Sequence, residues 1–220
     1  MGFGTGILPG MTKVHPNVAA AAQTVVIKSS GGASADAILL TVWKKSLLFN
    51  CNGFTVFDAK GNLVFRVDNY MTGSGAKGEI LLMDAAGNPL LTIRRKRLSL
   101  SDSWLIYDGE TTVNPRFSMR KHANILNSKS LAHVSAGGAK GNHSTMYEIE
   151  GSYGRRCCAV YDGNRRRVAE VKQKEAVRGD VAFGDDVFRL IVLPEMDASV
   201  AMAIVIILDQ MFGSSTSRRF

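Results

Sequence analysis

The sequence predicts a mainly β protein, an antiparallel barrel or sandwich with one buried helix near its C-terminus. Three observations lead there. Apolar runs of period two recur along the chain and stop at short Asp- and Gly-containing turns, the pattern of successive β-hairpins. Near the end, Ala198 to Leu208 is apolar on every side, so a helix there must be surrounded by protein. The chain has 220 residues, 45% hydrophobic and 21% charged, which suits one globular domain and excludes wholesale disorder, collagen-like chains and coiled coils.

Residues 1–37, rich in Gly, Ala and Ser, read as a flexible arm, with Ala22 to Lys28 as a short strand or helix. The first clear hairpin is Phe54 to Phe57, the turn Asp58-Ala59-Lys60-Gly61-Asn62, then Leu63 to Asp68. Glycine supplies the positive φ that the turn needs, and the aspartate bonds the backbone just ahead. The unit recurs as Ile80 to Met83, Asp84-Ala85-Ala86-Gly87-Asn88 and Pro89 to Ile93. Further runs are Trp104 to Tyr107 before Asp108-Gly109, Cys157 to Tyr161 before Asp162-Gly163-Asn164, and Val187 to Leu193, stopped by Pro194. Their irregular spacing excludes a propeller or solenoid. Residues 127–145, full of Ser and Gly, read as a long mobile surface loop.

The apolar segment is too short to span a bilayer, which takes about 20 residues, and suits a buried core helix. The β-branched stretch Ile204 to Ile207 also fits a buried strand. Asp197 as an N-cap and Gly213 as a left-handed residue past the end favour a helix over 197–212. Residues 214–220 form a tail. No transmembrane segment is expected. Three cysteines, Cys51, Cys157 and Cys158, are not a disulfide framework, and the N-terminus has no secretory pattern. Both point to a reducing, intracellular setting. Gly6 stands where a myristoylation signal wants a hydroxyl.

Residues 41–110 resemble the plant LURP-one-related proteins. The likeness lies in Thr41-Val42-Trp43-Lys44-Lys45-Ser46-Leu47, Asn52 to Asp58, Val64 to Tyr70, Leu82 to Gly87, Thr92 to Lys96, Leu98 to Leu100 and Trp104. It extends over roughly residues 38–212, with the domain taken as 38–213. The resemblance implies a tubby-like fold: a closed antiparallel barrel of about a dozen strands threaded by the hydrophobic C-terminal helix. It also implies a plant source, a link to defence and, because tubby domains bind phosphoinositides, a role at a membrane surface. No residue here matches the tubby lipid-binding positions one by one, and a scramblase-like acidic calcium loop is missing.

Lys and Arg total 27 against 19 Asp and Glu, a net charge of +8. The sharpest runs are Arg94-Arg95-Lys96-Arg97 and Arg165-Arg166-Arg167. On a strand, one pair of the first run would point into the barrel, which is costly unless paired. That strand is therefore expected to end near Ile93, or to lie at an edge where charge blocks pairing with other chains. The leading expected site is anionic phospholipid held by Lys44 and Lys45 with Arg94, Arg95, Lys96 and Arg97. The other functional reading of that run is nuclear import or nucleic-acid contact. If Arg165, Arg166 and Arg167 converge with Lys44 and Lys45, they too would hold an anionic headgroup, arginine binding phosphate bidentately. The bland alternative is a solvated surface.

Catalytic constellations are not expected. His15, His122, His133 and His143 are dispersed. Cys157 and Cys158 alternate across a strand and cannot share a metal, so both read as packing residues. Gly2-x-Gly4-x-Gly6 lacks the strand-to-helix turn of a dinucleotide site, and Gly137-Gly138-Ala139-Lys140-Gly141 lacks the hydroxyl of a P-loop. Phe54, Phe57, Phe65 and Trp104 read as core. The expectation is a monomeric, non-enzymatic binding protein with no cofactor or metal. It is placed in the cytoplasm, peripherally at the plasma membrane or in the nucleus. Its partner is anionic phospholipid, chiefly phosphoinositide, rather than nucleic acid. The alternative is a protein-interaction module or transcription-related adaptor, using the 127–145 loop or the hairpin tips.

Overall fold

The computed structural model describes residues 37–45, 52–69, 79–96, 101–123, 129–137, 144–174 and 184–213. Twelve strands run β1 (Ile38–Trp43), β2 (Asn52–Phe57), β3 (Leu63–Asn69), β4 (Glu79–Asp84), β5 (Pro89–Arg95) and β6 (Ser103–Asp108). They continue as β7 (Phe117–Lys121), β8 (Ser130–Ala136), β9 (Thr145–Ser152), β10 (Cys157–Asp162), β11 (Arg167–Gln173) and β12 (Val187–Val192), followed by the helix α1 (Ala198–Phe212). Each strand pairs antiparallel with the next, and β1 pairs with β12. The expected closed barrel around a C-terminal helix is what forms.

Alternation builds the wall. Leu40 faces Leu190, Leu190 faces Val171, and Val171 faces Cys158 across the β1, β12, β11 and β10 ladder. On the other flank of β1, Val42 faces Val56 and Val56 faces Phe65. All are buried. Successive side chains point to opposite faces of a strand, so this one inward set lines the whole tube. The lumen is filled by α1, whose residues from Val200 to Asp209 are all buried. This settles why Ile204 to Ile207 are helical despite their branching. Inside a closed barrel every wall hydrogen bond is already taken, and only a helix satisfies its own backbone there. Each buried Val, Ile or Leu contributes roughly 1.5–3 kcal/mol, far more than the helix-propensity cost of branching.

Asp197 caps α1, its Oδ1 accepting from the N–H groups of Ser199 at 2.7 Å and Val200 at 3.2 Å. Gly213 is not left-handed: its φ is −79°. Its reason is steric, because a Cβ there would stand 2.5 Å from Asp209 Oδ1.

Other expectations need correction. The presumed loop at 127–145 contains β8, whose Leu131, Ala132 and Val134 are buried. Residues 127–128 and 138–143, the arm through residue 36, the tail 214–220 and Arg97 lie outside the described residues. β5 runs two residues past Ile93. A closed barrel has no edge strand, so Arg94 and Arg95 guard none. Cys157 is exposed; of the two adjacent cysteines only Cys158 packs inside.

Candidate functional site: the two ends of the barrel

An up-and-down barrel sorts its connections onto two ends. The links β2–β3, β4–β5, β6–β7, β10–β11 and β12–α1 share one end. The other end carries Lys44 and Lys45 after β1, Lys96 after β5, the β9–β10 turn and the C-terminus of α1.

At the first end three hairpins share one design. Asp58 N–H donates to Asn62 O, Asp84 N–H to Asn88 O and Asp162 N–H to Arg166 O. In each, a second bond closes the turn onto the aspartate carbonyl, from Gly61, Gly87 and Arg165 respectively. A register shift lies beside each turn. This is the three-residue hairpin with a left-handed fourth position. Gly61 has φ +85° and Gly87 +92°, while Arg165 takes the same place at +61°. The carboxylates do the rest: Asp58 Oδ1 accepts from Lys60 and Asn62 N–H at 2.8 Å, and Asp162 Oδ1 from Asn164 and Arg166 N–H at 2.9 Å. Desolvation raises these carboxyls, but the hydrogen bonds outweigh it and hold Asp58, Asp84 and Asp162 below the ordinary value of 3.8.

The second arginine run belongs to this end and is spent there. Arg165 bridges Glu148 at 2.8 Å and Glu150 at 2.9 Å and lies over the Tyr161 ring at 4.8 Å. Arg166 pairs with Asp162 at 2.7 Å and Arg167 with Glu170 at 3.1 Å. These three residues therefore do not converge with Lys44 and Lys45; the barrel length separates them.

At the opposite end, Lys44 Nζ sits 3.1 Å from Asp209 Oδ1. The Tyr153 hydroxyl donates to the same oxygen at 3.3 Å. Burial, then the Asp209 charge, push the Tyr153 phenol far up, so it stays a proton donor. Arg156, also buried, holds the left-handed φ of +50°. Its guanidinium lies between the Tyr153 and Phe188 rings, at 4.4 and 4.3 Å, and its Nε donates to Asp185 O at 2.9 Å. Lys121 Nζ lies 4.7 Å over the Phe212 ring. The last turn of α1 carries no basic residue of its own. The barrel supplies these cations instead, where the helix dipole is negative.

Arg94 and Arg95 are also committed. Arg94 Nε bonds Glu79 Oε2 at 3.0 Å on the outer face, and Arg95 Nε bonds Asp102 Oδ1 at 3.1 Å at the rim. Lys45, Lys96, Lys129 and Arg155 are exposed at this end, with no ion pair among the described residues. Lys129 stands singly in the sequence and Arg155 reads only as part of a generally basic second half with Arg156; strand order is what brings both to this end. Asp209 had a legible signal, since a carboxylate inside an all-apolar helix needs a cation.

Other chemistry is sparse. Among the described residues no group of three His, Cys, Asp or Glu side chains is placed to hold a metal ion. Burial, aided by neighbouring Cys157, pushes the Cys158 thiol up to about 12. Burial and then Arg120 and His122 lower His133. Among the described residues no helix is long and apolar enough to cross a membrane.

The family model described as LURP-one-related matches residues 38–209. Protein LURP-one-related 8 of Arabidopsis thaliana is 55% identical over 208 residues, spanning 93% of this chain and 100% of that one. Protein LURP-one-related 17 of the same plant is 46% identical, spanning 79% and 83% of the two chains. A crystal structure of an Arabidopsis thaliana protein superposes with a TM-score of 0.57 at 23% identity, covering 80% of this chain and 91% of that one. It is similar in fold.

Proposed function

We propose that this chain, which belongs to the LURP-one-related family, is a non-enzymatic docking protein that seats anionic phospholipid, chiefly phosphoinositide, against one end of its barrel. The observation that carries the reading is an excess of exposed cations, unpaired among the described residues, at one end of the barrel, where the exposed carboxylates Asp185 and Asp186 are outnumbered. Cations unclaimed by described carboxylates, Lys45, Lys96, Lys129 and Arg155, ring the end where α1 terminates. The arginines of the other end are neutralised by Asp162, Glu148, Glu150 and Glu170. A Lys or Arg near an anionic leaflet contributes about 1 kcal/mol, so four on one face give useful, salt-sensitive attraction. Docking is favoured over catalysis because the buried titratable groups serve the framework: Tyr153 and Lys44 hold Asp209, and the Cys158 thiol is kept protonated.

Flotation with phosphatidylcholine vesicles, with and without phosphoinositide, tests the reading. Co-flotation with the anionic vesicles that falls steeply with salt is expected. Absence of flotation at low salt would overturn it. A use in plant defence belongs to the same proposal, its test being an altered pathogen response in plants lacking the protein.

A further inference from the structure

Trp43 is 43% exposed, and among the described residues the other large exposed hydrophobic is Val113, in the β6–β7 link at the opposite end. In β1 the buried Leu40 and Val42 face the lumen, so Trp43 faces outward from the last position of the strand, at the basic end. Its ring meets Phe57 edge-on, with centroids 5.8 Å apart and planes at 68°. The residues after it are pinned: Lys44 N–H donates to Asp186 O at 2.7 Å, and Lys45 O accepts the Thr55 hydroxyl at 2.7 Å. The indole is thus presented in a set orientation, with an exposed ammonium two residues on. Tryptophan places an apolar body and a polar N–H at the level of lipid headgroups, and lysine beside it meets the phosphates.

We propose that Trp43 is the interfacial anchor of an end-on docking mode, its indole entering the headgroup region of an anionic bilayer while the C-terminal end of α1 faces the membrane. The inference rests on the docking reading above. A bilayer is the occupant because of the charge around this rim. Lys45 stands two residues from the indole, and Lys96, Lys129 and Arg155 are exposed elsewhere around the same rim, outnumbering the exposed Asp185 and Asp186 there. This end as a whole therefore complements an anionic surface and would repel a second copy of itself.

The test uses vesicles of phosphatidylcholine and phosphoinositide, with bromine on the lipid chains as a short-range quencher. The chain has two tryptophans, and Trp104 is buried in the barrel, so it serves as an internal control. Expected results are quenching of the wild type on binding, none in Trp43→Phe, roughly tenfold weaker binding by Trp43→Ala, and unchanged binding by Val113→Ala. Vesicle binding without quenching, with Trp43→Ala equal to wild type, would overturn the anchor and leave docking standing. Absence of binding to anionic vesicles at low salt would overturn both. Self-association without lipid that Trp43→Ala abolishes would overturn the anchor too, because the indole would then face a second copy.

Discussion

Lys44 and Asp209 stand 3.1 Å apart and join the end of β1 to the last turns of α1. A residue that reads in sequence as a ligand-binding lysine is thereby committed to holding the helix inside the barrel. The Tyr153 hydroxyl at 3.3 Å completes the arrangement. Losing one partner of a buried charge pair costs about 3–5 kcal/mol; with Lys44 a third exposed, Lys44→Ala is expected to cost about 1–2. Tyr153→Phe should cost under about 1 kcal/mol, its bond being long. A double-mutant cycle of Lys44→Ala with Asp209→Ala, measured by denaturant unfolding, should show clear coupling. Additive effects would dissolve the pair.

Gly213 exists for the Asp209 carboxylate, since a Cβ there would lie 2.5 Å from Oδ1. Gly213→Ala is expected to destabilise wild type by about 1 kcal/mol, and to become neutral or favourable once Asp209→Ala removes the clash. An equal cost in both backgrounds would show that sterics at Asp209 are not the reason for the glycine.

Arg165 occupies, at φ +61°, the left-handed place filled by Gly61 and Gly87 in the sister hairpins. That conformation costs a non-glycine residue about 1–2 kcal/mol. Its ion pairs with Glu148 and Glu150 are solvent-exposed and offset that strain only in part. Arg165→Gly should therefore be close to neutral, while Arg165→Ala keeps the strain, loses the pairs and is the less stable of the two. The opposite ranking in thermal unfolding would refute the shared turn geometry.

Asp58, Asp84, Asp162 and Asp197 all titrate below the ordinary 3.8 in the fold. In each case desolvation pulls upward and hydrogen bonds from turn or cap outweigh it. A depressed folded value adds stability above the unfolded value and loses it as pH falls through the folded one. Thermal midpoints should thus decline as pH drops below about 4, and Asp84→Asn together with Asp197→Asn should shallow that decline. An unchanged acid limb in the double variant would contradict the assignment.

The hairpins and the helix were readable because period-two runs meet Asp-x-x-Gly turns and because Ala198 to Leu208 has no polar face. β8 was not: its inward Ala132 is small, its outward His133 is polar, and Ser130 and Ser135 within it, both buried, read in sequence like loop residues. The lumen's need for a self-satisfied backbone, which decides helix against strand for Ile204 to Ile207, exists only once the barrel closes. The candidate site was legible as residue type but not as place. Arg165, Arg166 and Arg167 sit at the far end, Lys44 is paired inward, and Lys129 and Arg155 join Lys45 and Lys96 only through strand order.

The central claim is that one end of the barrel does the docking, and charge reversal at the two ends compares them directly. Binding to phosphoinositide vesicles should fall at least about tenfold, or some 1.4 kcal/mol, in Lys45→Glu with Lys96→Glu. It should be little changed in Arg166→Glu with Arg167→Glu. Equal losses from both pairs, or a larger loss from the second, would show that net charge or the Asp-turn end carries the binding and would contradict the account.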